Sequence, residues 1–267
     1  MRRCYVDLPS NAGQINFRFA GAERPWIFLI HQFPLSCRQF ERLIPRLGVW
    51  ARAYAPDLPG YGVSPPPAEA PSITGYASAA LSAIDVLGAD TFAVIGIETG
   101  AAVATEIVRQ AKTGRVTHAI LIATPPLRKA KRDEYVGRLG EPDREQDGSH
   151  LWVEWERFER RWGPDCDKSQ LRMAVSETFY VYGRFHWGIK AFAGYDLVGG
   201  LEALTCPTLF LSAAEDPLAP EAEVARRLVP HAEHQILFDV RPAAPWTAPE
   251  RVDEAVAQFV GSGRHHM

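Results

Sequence analysis

Short apolar runs bounded by turn residues recur along the chain, separated by helix-period stretches: WIFLI (26–30), ARAYAPDL (51–58), FAVIGI (92–97), HAILIAT (118–124), PTLFLSA (207–213) and HQILFDV (234–240). Runs of this length without strict alternation suit strands buried on both faces. Their alternation with amphipathic segments predicts an α/β fold with a mostly parallel, doubly wound sheet. Two more strand-like runs, RCYVDL and QINFRFA, open the chain. Their connection is too short for a crossover helix, so they predict an antiparallel hairpin at one edge.

The strand rhythm stops between about Leu127 and Gly200. A charged segment, RKAKRDEYVGRLGEPDREQDG, is followed by helical patterns at HLWVEWERFERRW and KSQLRMAVSETFYVYGRFHWGIKAF. A helical insertion between two strands predicts a cap over the sheet edge, with three segments: core (1–126), cap (127–200) and core again (201–267). Trp152, Trp155, Trp162 and Trp187 lie in the insertion, with Phe158, Phe179, Tyr180, Tyr182 and Phe185. Some of these aromatics pack the cap itself. Others are expected to face a pocket between cap and sheet that favours a hydrophobic or aromatic small molecule.

Charge narrows the choice of partners. Against 32 acidic residues stand 29 Lys and Arg, scattered and not blocked, for a formal net charge of −3. This gives no basic stripe for nucleic acid. No apolar run reaches the length of a membrane span and the start has no signal-peptide pattern, which predicts a soluble cytoplasmic protein. Cys4, Cys37, Cys166 and Cys206 form no C-x-x-C pair, so the expectation is buried reduced thiols with no metal and no cofactor. Oligomeric state and substrate identity are not encoded in any motif.

Several stretches line up in an order that carries chemistry. WIFLIHQFPLSCRQF resembles a strand and oxyanion loop that usually reads H-G-F-P; YAPDLPGYGVS matches a D-L-P-G-[FY]-G-x-S turn; GIETG (96–100) stands where a nucleophile elbow G-x-S-x-G belongs; CPTLFLSAAEDPLAP matches the strand and loop of a catalytic acid; PAAPWTAPERVDEAVAQFV closes the series. In this register the chain resembles the α/β-hydrolase superfamily over nearly its whole length, most closely the capped branch with epoxide hydrolases and haloalkane dehalogenases. Independently of the resemblance, a strand ending at Ile97 and a helix starting near Thr99 would expose residue 98 at the carboxyl end of the sheet, where ligands of open α/β sheets collect.

The resemblance implies a nucleophile, a histidine and an acid. Asp216 falls where the acid is expected. Glu98 replaces the nucleophile, and Ala243 falls where the terminal histidine is expected, with no histidine anywhere from Gln235 to Gly263. His118, His231 and His234 are expected to precede their strands at the opposite edge, and His265 and His266 lie in a polar tail. His31, His150 and His186 remain as residues that could reach Glu98. For His31 two roles stay open, tying down the oxyanion loop or touching substrate. The backbone N–H groups near Phe33 and of Thr99, with the Gln32 amide, are candidate donors to a substrate oxygen, and Tyr180, His186 and Trp187 are candidate cap contacts.

A carboxylate at this turn, under an aromatic cap, feels burial that raises its pKa and a helix amino end that lowers it, a balance suited to an acid/base group. The leading expectation is a cofactor-independent enzyme using Glu98, Asp216 and His31 for an elimination, isomerisation or cyclisation of a hydrophobic small molecule. The second is a hydrolase of epoxide-hydrolase or dehalogenase type with Glu98 as nucleophile. The third is a binding protein without chemistry.

Overall fold

Eight strands form one sheet in the computed structural model, which describes residues 1–9, 12–125, 132–134, 137, 147–181 and 183–262. They are β1 (Arg2–Asp7), β2 (Gln14–Ala20), β3 (Trp26–Ile30), β4 (Arg52–Pro56), β5 (Phe92–Ile97), β6 (Val116–Ile122), β7 (Thr208–Ala213) and β8 (Glu233–Leu237). Their order across the sheet is β1-β2-β4-β3-β5-β6-β7-β8. β1 and β2 form the expected antiparallel hairpin, β2 pairs antiparallel with β4, and every pairing from β4 to β8 is parallel.

The helices explain why the central strands read as continuous apolar runs. Every residue of β3 and β5 is buried because both sheet faces are covered. Phe28, Ile30, Val94 and Leu121 turn to one face, into a core with Ala77, Ala80, Ile84, Ala101 and Ala104. Ile27, Leu29, Ile95 and Ile120 turn to the other, against Phe40, Ile44, Leu47, Val252 and Val256. The flanking helices are α1 (Ile44–Leu47), α2 (Ile73–Val86), α3 (Thr99–Gln110), α8 (Ala219–Leu228), α9 (Ala244–Thr247) and α10 (Pro249–Ser262). Between β6 and β7 the described residues include α4 (Ser149–Trp162), α5 (Lys168–Tyr180), α6 (Phe185–Ala193) and α7 (Leu197–Glu202).

The second helical pattern of the insertion is split into α5 and α6. Gly183, at φ +77°, stands in the break, a backbone angle that glycine adopts without a Cβ penalty. α6 then lies close on the core: a Cβ at Gly188 would stand 2.1 Å from the Phe33 ring, and the Gly188 N–H donates to Tyr61 Oη at 2.7 Å. His118 and His234 lie inside β6 and β8, not before them, and the His118 ring packs edge-on against Phe259. Most of the charged segment that opens the expected cap, together with Tyr182, His265 and His266, lies outside the described residues. No helix among the described residues is long and apolar enough to cross a membrane. All four cysteines are free thiols, three of them buried.

Candidate active site

The strand–turn–helix at GIETG is built as the sequence predicts, and its glycines have a steric purpose. β5 ends at Ile97 and α3 begins at Thr99. A Cβ at Gly96 would come within 2.7 Å of Ala101 Cα and Ala104 Cβ, and one at Gly100 within 2.4 Å of the Ile30 and His31 carbonyl oxygens. Both glycines thus let helix and strand approach closely. The conformational strain falls on the residue between them: Glu98 has φ +47° and ψ −121°, outside the regions that L-residues favour. The turn holds the Glu98 backbone by an N–H bond to Ile122 O (3.0 Å), and its own carbonyl accepts from Ala101 N–H (2.8 Å).

Glu98 is 2% exposed and Asp216 4%. Both meet the same cation, Arg161 of α4. Arg161 Nη2 donates to Glu98 Oε1 at 3.0 Å and to Asp216 Oδ2 at 3.3 Å, and Nη1 lies 3.0 Å from Asp216 Oδ1. The guanidinium therefore spans the elbow residue and the acid, the two groups that an imidazole connects in a hydrolytic triad. Taken by themselves, these three side chains sum to a formal charge of −1. Asp216 is oriented further by the Leu218 N–H, which donates to Oδ1 at 2.8 Å.

Ala243, at the expected histidine position, is buried and adopts a left-handed conformation with φ +62°. It belongs to an apolar cluster with Leu35, Phe158, Trp162, Cys166, Leu171 and Ala174. Cap side chains pack around the methyl group.

His31 is buried with both ring nitrogens engaged by backbone. The Leu58 N–H donates to Nε2 at 3.0 Å, so the ring proton sits on Nδ1 and donates to the Gln32 carbonyl at 2.9 Å. Burial lowers its pKa, and the carbonyl bond and the nearby Asp57 oppose that shift without cancelling it. This geometry ties the loop after β3 to the turn after β4. Gln32 forms a reciprocal pair with Gln39: its N–H donates to Gln39 Oε1 (3.1 Å) and its Oε1 accepts from Gln39 Nε2 (2.6 Å). The Phe33 N–H donates to Thr99 Oγ1 at 2.8 Å, so the elbow's own threonine hydroxyl occupies one candidate oxyanion donor. The Phe33 ring packs between Tyr61 and Tyr76.

The cap candidates separate. His186 and Trp187 are half-buried on α6, and the Trp187 ring lies 3.6 Å from the place a Gly60 Cβ would take. Tyr180 is 63% exposed and lines a cavity whose walls include neither Glu98 nor Asp216. His150 packs against Phe179 within the cap. Sequence reasoning missed Arg161. A signal existed: Glu154, Phe158 and Trp162 form the buried stripe of α4, and Arg161 falls on the same face, seven residues after Glu154.

A model of the alpha/beta hydrolase fold family matches residues 25–249. The chain is 27% identical over 246 residues to a non-heme haloperoxidase of Rhodococcus erythropolis, covering 85% of this chain and 88% of that protein. Among solved structures it resembles a bromoperoxidase from Bacillus anthracis (TM-score 0.82, 17% identity, 97% of this chain and 100% of that one). It also resembles an esterase from Thermogutta terrifontis (TM-score 0.76, 22% identity, 98% and 99%). An epoxide hydrolase gives a TM-score of 0.76 at 17% identity, with 98% and 99% covered. With the family model spanning most of the chain and the sheet, elbow and acid loop in matching order, this protein belongs to the α/β-hydrolase fold family.

Proposed function

We propose that this protein is an enzyme of the α/β-hydrolase fold that performs acid/base chemistry at Glu98 on a hydrophobic small molecule, in an elimination, isomerisation or cyclisation. The observation that carries this reading is the Glu98–Arg161–Asp216 cluster: a buried carboxylate at the elbow, joined to the acid by a guanidinium, with alanine at the histidine position. Glu98 takes a proton from carbon or oxygen of the substrate while Arg161 turns to the oxygen on which negative charge develops. Glu98 then returns the proton to a second carbon or to a leaving group, so the enzyme ends each cycle in its starting protonation state. Asp216 holds Arg161 throughout. His31, with both nitrogens committed to backbone, positions the loop and moves no proton in this scheme.

The test is proton exchange. In deuterated water, a panel of hydrophobic carbonyl compounds should exchange an α-proton in the presence of the wild-type protein, and Glu98→Gln should fold normally and lose the exchange. Equal exchange by wild type and Glu98→Gln would sink the reading. A second reading has support from the solved structures of hydrolases and esterases: Glu98 as nucleophile, forming an alkyl ester that water must then cleave. That route predicts a covalent adduct on Glu98 after exposure to epoxides or alkyl halides, and entry of labelled solvent oxygen into its carboxylate over repeated turnovers. Recovery of an unchanged bound ligand, with indifference to Glu98→Gln, would instead favour binding without chemistry.

A further inference from the structure

A second concave site, ≈ 450 Å³ in volume, opens between the cap and the β1–β2 hairpin. α5 contributes Glu177 and Tyr180, the hairpin contributes Arg3 and Asn16, and the loops after β3 and β4 contribute Arg38 and Asp57. Neither Glu98, Arg161 nor Asp216 lines it, so the mechanism above makes no use of it.

Two residues of the wall carry a buried acceptor that has no donor among the described residues. Glu177 is 6% exposed; its Oε1 accepts from Ser36 Oγ at 2.5 Å and faces Arg38 Nη1 at 3.8 Å, while Oε2 is buried with no donor among the described residues. Asn16 Nδ2 donates to Asp57 Oδ2 at 2.8 Å, which fixes the amide orientation and leaves the buried Oδ1 in the same position. Buried acceptors of this kind are almost always satisfied, and both belong to residues that line the cavity, so a group rich in N–H donors that draws these side chains toward it would suit them. Asp57 makes no such demand, because it also accepts from the Cys37 and Val63 N–H groups.

The outer part has the opposite character. Arg3 is exposed and Arg38 is 41% exposed at its side chain, and both face the cavity. Arg18, deeper in the wall, is already paired with Glu41. We propose that this cavity binds a small zwitterion, its primary ammonium donating to Glu177 and Asn16 and its carboxylate meeting Arg38 and Arg3 toward solvent. An ammonium carries three donors and no acceptor, which suits the inner wall, and a carboxylate suits a guanidinium at the mouth.

Burial raises the Glu177 pKa to about 7, with Ser36 and Arg38 pulling it down and Asp57 pushing it up; Arg3, Arg18 and Glu41 are the other charges facing the cavity. An arriving ammonium favours the ionised carboxylate, so binding at pH 7 releases up to about half a proton. Calorimetric titration with β-alanine, in buffers of different ionisation heat, reads both affinity and proton release. Saturable binding with proton release is expected. Glu177→Gln keeps the acceptor for Ser36, and should weaken binding about tenfold or more and abolish the proton release. Arg38→Gln should weaken β-alanine relative to ethylammonium, so that the ratio of the two affinities falls. Absence of saturable binding to a folded wild-type protein overturns the proposal, as does Glu177→Gln binding with wild-type affinity. Propionate or ethylammonium alone matching β-alanine overturns the zwitterion assignment. None of these readouts depends on turnover at Glu98.

Discussion

Replacing Arg161 with methionine removes a cation that contacts both Glu98 and Asp216, and the distances set the scale of the effect. At 3.0 Å and an effective dielectric of ~20, one such contact corresponds to ~5 kcal/mol of Coulomb attraction. Desolvation of the charges offsets much of it, and removing one partner of a buried pair costs about 3–5 kcal/mol in measured cases. The Arg161 side chain is 20% exposed, so the lower end applies, about 3 kcal/mol. For a chain of this size that lowers Tm by about 6–12 °C. Glu98→Gln alone should change stability by less than about 1 kcal/mol, because the amide oxygen still accepts from Arg161 and the cluster's net charge falls to zero. The double variant then leaves one buried carboxylate where Arg161→Met leaves two, and should recover at least about 1 kcal/mol. Urea unfolding of the four proteins at neutral pH measures this cycle. Arg161→Met within about 0.5 kcal/mol of wild type, or strict additivity in the double variant, refutes the coupling.

Glu177 supplies a pH signature. Its folded pKa, about 7, lies above the unfolded value of 4.5, so its contribution is full below pH 4.5 and is lost as pH rises through 7. Glu177→Gln should therefore be more stable than wild type by on the order of 3 kcal/mol at pH 8 and near wild type at pH 4, checked by urea unfolding at both pH values. Gly100→Ala should destabilise by about 3 kcal/mol or more, because the new methyl meets backbone carbonyl oxygens at 2.4 Å and backbone must move; thermal melts test it. Ala243→His should destabilise by about 1–3 kcal/mol through overpacking against Phe158 and Trp162, and should leave p-nitrophenyl acetate hydrolysis at the uncatalysed level. A well-folded Ala243→His variant with triad-like esterase activity would contradict that packing argument.

The strands were legible because burial on both faces imposes apolar runs with no polar interruption, and the elbow because its two glycines are required by close approach at Gly96 and Gly100. What stayed hidden depends on tertiary placement. The run ERFERRW gives Arg157, Arg160 and Arg161 equal standing as letters, yet Arg157 pairs with Glu154 within α4, Arg160 faces solvent beside Glu156, and Arg161 reaches the elbow. The helix period hints at the difference, but only the position of α4 over the carboxyl edge decides it. Thr99 presents the same problem: its hydroxyl reaches Phe33, 66 residues away, a contact no local pattern encodes. The break between α5 and α6 turns on Gly183, which a helical pattern of apolar residues passes over.

The two departures from the pattern that the resemblance implies, Glu98 and Ala243, fit together physically with the Arg161 contact. An imidazole beside a nucleophile and an acid supplies both a cation, when protonated, and bulk. With Ala243 in place of histidine, both are supplied from the cap by consecutive residues of one helical turn: Trp162 packs in the cluster with Ala243, and Arg161 places its charge between Glu98 and Asp216. A glutamate at the elbow suits such an arrangement, since a serine there would leave the guanidinium with Asp216 as its one carboxylate in this group and no carboxylate at the turn itself. Arginine does not titrate in the range where histidine does, so in the proposed reaction the proton would be carried by a carboxylate and not by Arg161. In the proposed reaction α4 would contribute directly to the site through Arg161, and displacing α4 should remove that contact from Glu98 and Asp216 together.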